Sequence, residues 1–398
     1  MKKQVAGWMA MAVTAAMLGS VASFANEAGA GGNWLEVDNR LRLEYDDNIY
    51  ETKDNKTDSF KLIEEIELGI TLNFEPTFLT VRYRPSFTWW SDREPDDTDL
   101  HHDLDVVLNH RFSPRVSMGL KNTFRLAEQP EEIDRGVKLR ENDDYMYNVT
   151  DGNVDVAILP RTHAVVGGRY SVLRYDRDEV ADTEDYDIAA GGLTIRQGVS
   201  AMSTVMADFR YEDVSYDDSL RDSDSTYYGI GLEQALGASF VGTVRGGYQD
   251  KTYNDDTIDD NSEPYGDVSL TYIVSPRTRL SLGAGYSLYE ADVYPFANQE
   301  RTIMFGSVAH DLTAKISLFL SASYQISDYD SSEIIDTDIE VPENYGGEEN
   351  VVQGAVRVAY QLNARNSLEL NYQYMDLSSD LRDDFERNRA SIGWRLDI

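Results

Sequence analysis

Cysteine is absent from this chain of 398 residues. Its absence excludes a disulfide scaffold, Cys-ligated zinc and any thiol nucleophile. It also suits a chain that crosses an oxidising compartment without mispairing. Basic residues are few: 36 Lys+Arg stand against 71 Asp+Glu, a formal net charge of -35. Such a chain is repelled by phosphate backbones, which excludes nucleic acid as a partner. Beyond the N-terminus no stretch approaches 18 uninterrupted apolar residues, so no transmembrane helix is expected in the mature protein. Disorder is excluded by what is abundant. Hydrophobic residues make up 41% and aromatics 11%, with 25 Tyr, and disordered acidic chains are poor in both types.

Residues 1–25 read as a secretory signal. Lys2 and Lys3 form a basic start, Val5 to Val21 is an apolar stretch, and Ser23-Phe24-Ala25 places small residues where a signal peptidase reads them. The polar flank Asn26-Glu27 argues against a membrane anchor. Residues 26–398 are then one exported domain.

From Trp34 onward the dominant signal is alternation of apolar and polar residues, the mark of strands with two unlike faces. Leu35, Val37, Leu41, Leu43 and Tyr45 alternate with Glu36, Asp38, Arg40, Arg42 and Glu44. Ile66, Leu68, Ile70 and Leu72 alternate with Glu65, Glu67, Gly69 and Thr71. The pattern persists to the end, where Ala390, Ile392, Trp394 and Leu396 alternate with Arg389, Ser391, Gly393 and Arg395.

Two classes of connection take turns between these segments. Short ones include Glu75-Pro76-Thr77, Ser113-Pro114-Arg115, Leu159-Pro160-Arg161, Ser275-Pro276-Arg277 and Asn363-Ala364-Arg365. Pro fixes φ and Ser or Asn bonds its own backbone, so each is a turn with a mechanism. Long, acid-rich ones are expected near 46–57, 91–101, 128–143, 176–184, 214–224, 250–263, 290–299, 328–347 and 377–386. Alternating in this way, they require about 18 antiparallel strands with both termini on the short-turn side. With no helices to cover either face, the solution is an all-β transmembrane barrel, greasy outside and wet inside, with short periplasmic turns and long extracellular loops. Aromatics are expected in two interface bands. Tyr45, Trp89, Tyr147, Tyr170, Tyr211, Tyr228, Tyr248, Tyr286, Tyr324 and Tyr374 fall near the long loops, and Phe74, Phe112, Phe240, Tyr272, Tyr360 and Trp394 near the short turns.

Leu43-Glu44-Tyr45-Asp46-Asp47-Asn48-Ile49-Tyr50 and Arg82-Tyr83-Arg84-Pro85-Ser86-Phe87 resemble stretches of the beta-barrel porin family of the second type. That resemblance implies an outer-membrane barrel, often associated with exopolysaccharide or capsule systems. One departure is the terminus: many such barrels end in Phe or Trp, whereas this chain ends Leu396-Asp397-Ile398.

About 18 strands leave an aqueous lumen unless loops fold in. The polar phase assigns Arg40, Arg42, Glu65, Glu67, Arg82, Arg84, Arg389 and Arg395 to the pore lining, with Lys121, Arg125, Arg169, Arg357, Glu369 and Arg387. If the first three strands and the last meet at a seam, six of these arginines form a basic stripe. The stripe either orients a polar or anionic solute or braces the wall by cross-strand ion pairs. The expected function is an outer-membrane channel for a polar solute that takes part in polysaccharide export. Beside it stands a closed scaffold or receptor binding a partner or glycan through its loops. Apolar Ile334, Ile335, Ile339, Val341 and Pro342 in loop 328–347 fit either a plug or a docking loop. An outer-membrane hydrolase is a third reading, but the five His (His101, His102, His110, His163, His310) form no constellation with a nucleophile. No cofactor is expected beyond Ca²⁺ held weakly at acidic loops such as Asp96-Asp97-Thr98-Asp99 and Asp259-Asp260, where it would bridge to lipopolysaccharide.

Overall fold

The computed structural model describes residues 34–94, 96–127, 143–237, 239–255, 258–330, 334–335 and 345–398. The secretory segment, most of loop 128–143, and Ile339, Val341 and Pro342 lie outside the described residues. Eighteen strands follow one another along the chain. The first six are β1 (Leu35–Asp46), β2 (Ser59–Phe74), β3 (Thr77–Trp90), β4 (Thr98–Ser113), β5 (Val116–Ala127) and β6 (Tyr145–Leu159). The next six are β7 (Thr162–Tyr175), β8 (Tyr186–Gly198), β9 (Ser203–Tyr216), β10 (Ser223–Leu236), β11 (Phe240–Tyr253) and β12 (Asn261–Ser275). The last are β13 (Thr278–Glu290), β14 (Asn298–Asp311), β15 (Ile316–Tyr329), β16 (Gly347–Asn363), β17 (Asn366–Ser379) and β18 (Phe385–Asp397). Among the described residues one helix, α1 (Asp178–Glu184), lies between β7 and β8.

Each strand pairs antiparallel with its neighbour in sequence, and β1 also pairs with β18, from Asp38↔Asp397 to Asp46↔Arg389. The sheet is therefore a closed ring with no free edge, which is what a bilayer demands of strands. The seam expected from the sequence is present: β3, β2, β1 and β18 are consecutive staves.

Connections of two to four residues join β2 to β3, β4 to β5 and so on round one rim, and those of five to seventeen residues occupy the other. The strands on that second rim run farther than the acidic composition indicates. β9 continues to Tyr216 and β10 resumes at Ser223, leaving six residues where 214–224 was expected to be loop. The reason is that aspartates there remain in the ladder. Their carboxylates accept hydrogen bonds from outward tyrosines: Tyr170 Oη lies 2.7 Å from Asp187, and Tyr211 bonds Asp224. Tyr286 bonds Glu300 and Tyr372 bonds Asn388 in the same way, both at 2.7 Å. Each ring lies against lipid while its hydroxyl reaches a polar group nearer water, and these residues make up the outer aromatic band.

One band member is corrected. Tyr147 faces the lumen and is only 4% exposed. It packs with Tyr145, Val149, Leu173 and Tyr175 under Val180 of α1. The inner face of β6 and β7 is apolar at this level because an inward-folded segment covers it, so apolar character there does not mark lipid.

Candidate functional site

The alternation that greases the outer wall puts the polar phase inside. One cavity of about 2500 Å³ runs along the barrel interior. Its walls extend from the short-turn rim, at Pro76, Pro160 and Ser200, to Glu51 in the loop between β1 and β2. All eight residues assigned to the lining from the sequence border it, as do Lys121, Arg125, Arg169, Arg357, Glu369 and Arg387.

Six of the eight are tied into cross-strand ion pairs. Arg40 Nη1 lies 3.1 Å from Glu65 Oε1, and its Nε is 3.7 Å from Glu369. Arg82 Nε is 3.7 Å from Glu67, while Arg84 Nη2 is 2.7 Å from Asp105. Arg395 holds Asp38 at 2.7 Å and Asp397 at 2.9 Å. These pairs are wall bracing. The remaining two are different: Arg42 and Arg389 have no ion-pair partner among the described residues, and Arg42 Nε is shielded without a hydrogen bond. Arg357 on β16 makes no ion pair within 4 Å among the described residues and sits 5.6 Å from the Phe319 ring.

Above this level the seam is locked. Asp46 is fully buried and receives Arg387 Nη2 at 2.6 Å and Lys61 Nζ at 2.7 Å. Arg387 also reaches Glu51 at 2.8 Å, and Lys61 lies 4.1 Å over the Trp90 ring. Across the barrel, on β11 to β16, the mouth is filled from above. Phe296 and Ala297 are completely buried, Ile335 is 1% exposed, and Ile335 N–H donates to Pro295 O at 3.0 Å. Phe296 stacks on Tyr345 and tilts against Tyr329. Loop 291–297 and residues 334–335 thus fold inward together, while the seam side stays open to Glu51.

Sequence reasoning passed over Arg210 on β9 and Arg245 on β11, which also border the lumen without ion-pair partners among the described residues. The same parity that identified Arg42 identifies both: on β9 Val205, Phe209 and Tyr211 point outward in alternation with Met206 and Arg210, while on β11 Gly242, Gly246 and Gly247 interrupt the apolar rhythm around Arg245. The histidines disperse. His101 faces inward, 4.0 Å from Asp99, and His102 stacks on Tyr83. His163 bonds Asp155 at 2.7 Å, and His110 and His310 bond Thr77 and Thr278 at the short-turn rim.

A closed ring of 18 antiparallel strands, apolar outside and charged around a long internal cavity, defines an integral outer-membrane barrel of the porin class. The family model described as Putative beta-barrel porin 2 matches residues 30–398, and the chain belongs to that family. No curated protein matches the sequence. Among solved structures, the chain is similar to Pseudomonas aeruginosa OpdK with vanillate, at TM-score 0.50 and 10% identity over 92% of this chain and 99% of that one. It is similar to OccK2 (OpdF) of the same organism in complex with glucuronate, at TM-score 0.50 and 10% identity over 92% and 98%. Acinetobacter baumannii OccAB4 follows at TM-score 0.49 and 11% identity over 92% and 99%. At these identities the likeness is one of fold.

Proposed function

We propose that this outer-membrane barrel is a diffusion channel for polar solutes, with a preference for anions, and that it takes part in polysaccharide export. The observation that carries the channel is the cavity running from the short-turn rim to Glu51, open along the seam wall. What favours anions is the imbalance inside it. Glu65, Glu67 and Asp38 near the seam are held by Arg40, Arg82 and Arg395, and Glu44 by Lys61, whereas Arg42, Arg389 and Arg357 make no ion pair within 4 Å among the described residues. Unbalanced guanidiniums in a narrow, low-dielectric passage concentrate anions and hold them in orientation. Sugar acids and aromatic acids are bound by the similar folds crystallised with glucuronate and vanillate, and they are reasonable first solutes here. The export role rests on the family resemblance. Ca²⁺ between the exposed acidic loops and lipopolysaccharide phosphates belongs to the same reading, supported by the net charge of -35.

The test is solute flux into liposomes. Glucuronate is expected to enter faster than glucose, and the difference is expected to shrink in R42Q/R389Q. Equal rates would reject the anion preference. Loss of surface polysaccharide on deleting the gene would support export, and an unchanged surface would reject it.

A receptor reading is favoured by the inward packing of Phe296 and Ile335, which narrows the long-loop mouth. If the mouth is a docking surface rather than a constriction, removing residues 330–346 abolishes partner binding without raising flux.

A further inference from the structure

The wall opposite the seam carries a second set of guanidiniums with no ion pair within 4 Å among the described residues, and these are built around aromatic rings. β10 lies nine strands from β1 in either direction round the ring. Tyr227 on β10 and Arg42 on β1 each sit four residues in from the long-loop ends of their strands, so they lie at similar depth across the lumen. The guanidinium of Arg210 lies 3.7 Å over the Tyr227 ring. Tyr227 is fixed from behind, its hydroxyl 3.2 Å from Glu212 Oε1 and receiving Gln249 Nε2 at 2.8 Å.

Tyr265 of β12 lies edge-on to Tyr227, with centroids 5.8 Å apart and planes at 77°. It lies over two glycines. A Cβ at Gly229 would collide with its hydroxyl, and one at Gly247 would come within 2.8 Å of its Cε1. The missing side chains let the ring lie along the wall with one face toward the lumen, and its hydroxyl is anchored to Asp208 at 2.9 Å. Arg245 stands beside it, cross-strand from Asp267 but beyond ion-pairing reach of it. The Nε atoms of Arg210 and Arg245 are shielded and have no hydrogen-bond partner among the described residues.

From this arrangement we propose that Arg210, Arg245, Tyr227 and Tyr265 form a binding station for an acidic saccharide, meaning a hexose unit that carries a carboxylate. This rests on the channel reading and names the solute class that pauses in the lumen. Each guanidinium offers the planar, bidentate geometry that a carboxylate accepts. The exposed Tyr265 face, with its electron-rich π cloud, meets the slightly positive C–H face of a sugar ring. A bare anion uses only the first feature and a neutral sugar only the second, so the combination selects solutes that have both.

The test is calorimetric titration of the mature barrel in detergent micelles with trigalacturonate, maltotriose and citrate. Trigalacturonate is expected to bind at least tenfold more tightly than the other two. R210Q/R245Q is expected to lose at least tenfold and Y265A several-fold, while Y265F, which keeps the platform, retains binding. Heat-modifiable electrophoretic mobility reports whether each variant is folded. Unchanged trigalacturonate affinity in folded R210Q/R245Q would overturn the station. So would citrate binding as tightly and surviving Y265A, which would mark a simple anion site. Because binding is read without current, a barrel that conducts but ignores trigalacturonate rejects the station alone. One that binds it but never conducts rejects the channel alone.

Discussion

Arg387 of β18 grips Asp46 of β1 through two nitrogens, Nε 3.0 Å from Oδ1 and Nη2 2.6 Å from Oδ2, and both residues are buried at the long-loop end of the seam. Here the first and last strands meet. Their pairing has no short turn to hold it in register, so side chains supply the fastening. Asn48 adds to it, donating to Glu386 O at 3.0 Å. Removing one partner of a buried charge pair leaves the other desolvated and unpaired, which costs about 3–5 kcal/mol. R387Q and D46N should each lower the temperature at which the barrel loses its compact mobility on unheated gels. The double variant should lose less than the sum of the two, because neither Asp46 nor Arg387 is then left charged opposite a neutral partner, while Lys61 keeps Glu44 at 3.2 Å.

A weaker latch joins the same staves outside. Lys53 Nζ lies 3.0 Å from Asp384 Oδ2, between the first and last long loops. The Ser379 backbone N–H and the Lys53 ammonium hold the Asp384 carboxyl below its ordinary range. A depressed carboxyl stabilises the fold above the unfolded value near 3.8, and that contribution disappears as pH falls through the folded value. Wild type and D384N should therefore differ in thermal stability at pH 7 and converge at the acid end, once pH has fallen through the lowered folded value. The difference should be small, since the pair is exposed and screened.

Charge selection in the lumen is tested on the two unpaired seam arginines. Replacing Arg42 and Arg389 with Gln leaves the braced pairs Arg40–Glu65 and Arg84–Asp105 in place. The reversal potential in a salt gradient should shift toward cation preference, with the anion-to-cation permeability ratio falling roughly twofold or more. R84Q should act differently, destabilising the wall by freeing Asp105 and shifting selectivity less.

Much of this was legible in the chain. Alternation in segments such as 66–74 and turn tripeptides such as Ser275-Pro276-Arg277 specified an even-stranded barrel, its two rims and the inward phase. Tyr147 was misplaced because periodicity reports that a face is apolar, not whether lipid or a folded-in helix covers it. Ion pairing was also hidden. Whether Arg40 meets Glu65 or stands free like Arg42 depends on register between strands, which a single strand's rhythm does not contain. Parity places Arg210 and Arg245 inside as well, but their lack of ion-pair partners and the approach of Tyr265 over Gly229 and Gly247 depend on that same register.

The mouth should respond to its own residues. Phe296 and Ile335 are buried against each other's loops, and each such side chain contributes about 1.5–3 kcal/mol of burial. F296A/I335A should loosen loop 291–297 and increase solute flux in the liposome assay while leaving gel mobility unchanged. A lower flux would show that the segment supports the passage rather than narrows it.

The most direct measurement is current through single barrels reconstituted in a planar bilayer. Discrete, stable conductance steps are expected, larger when residues 330–346 are deleted, because the cavity already reaches Glu51 beside the seam. A membrane that stays silent with inserted, correctly folded protein, both before and after that deletion, would contradict the channel.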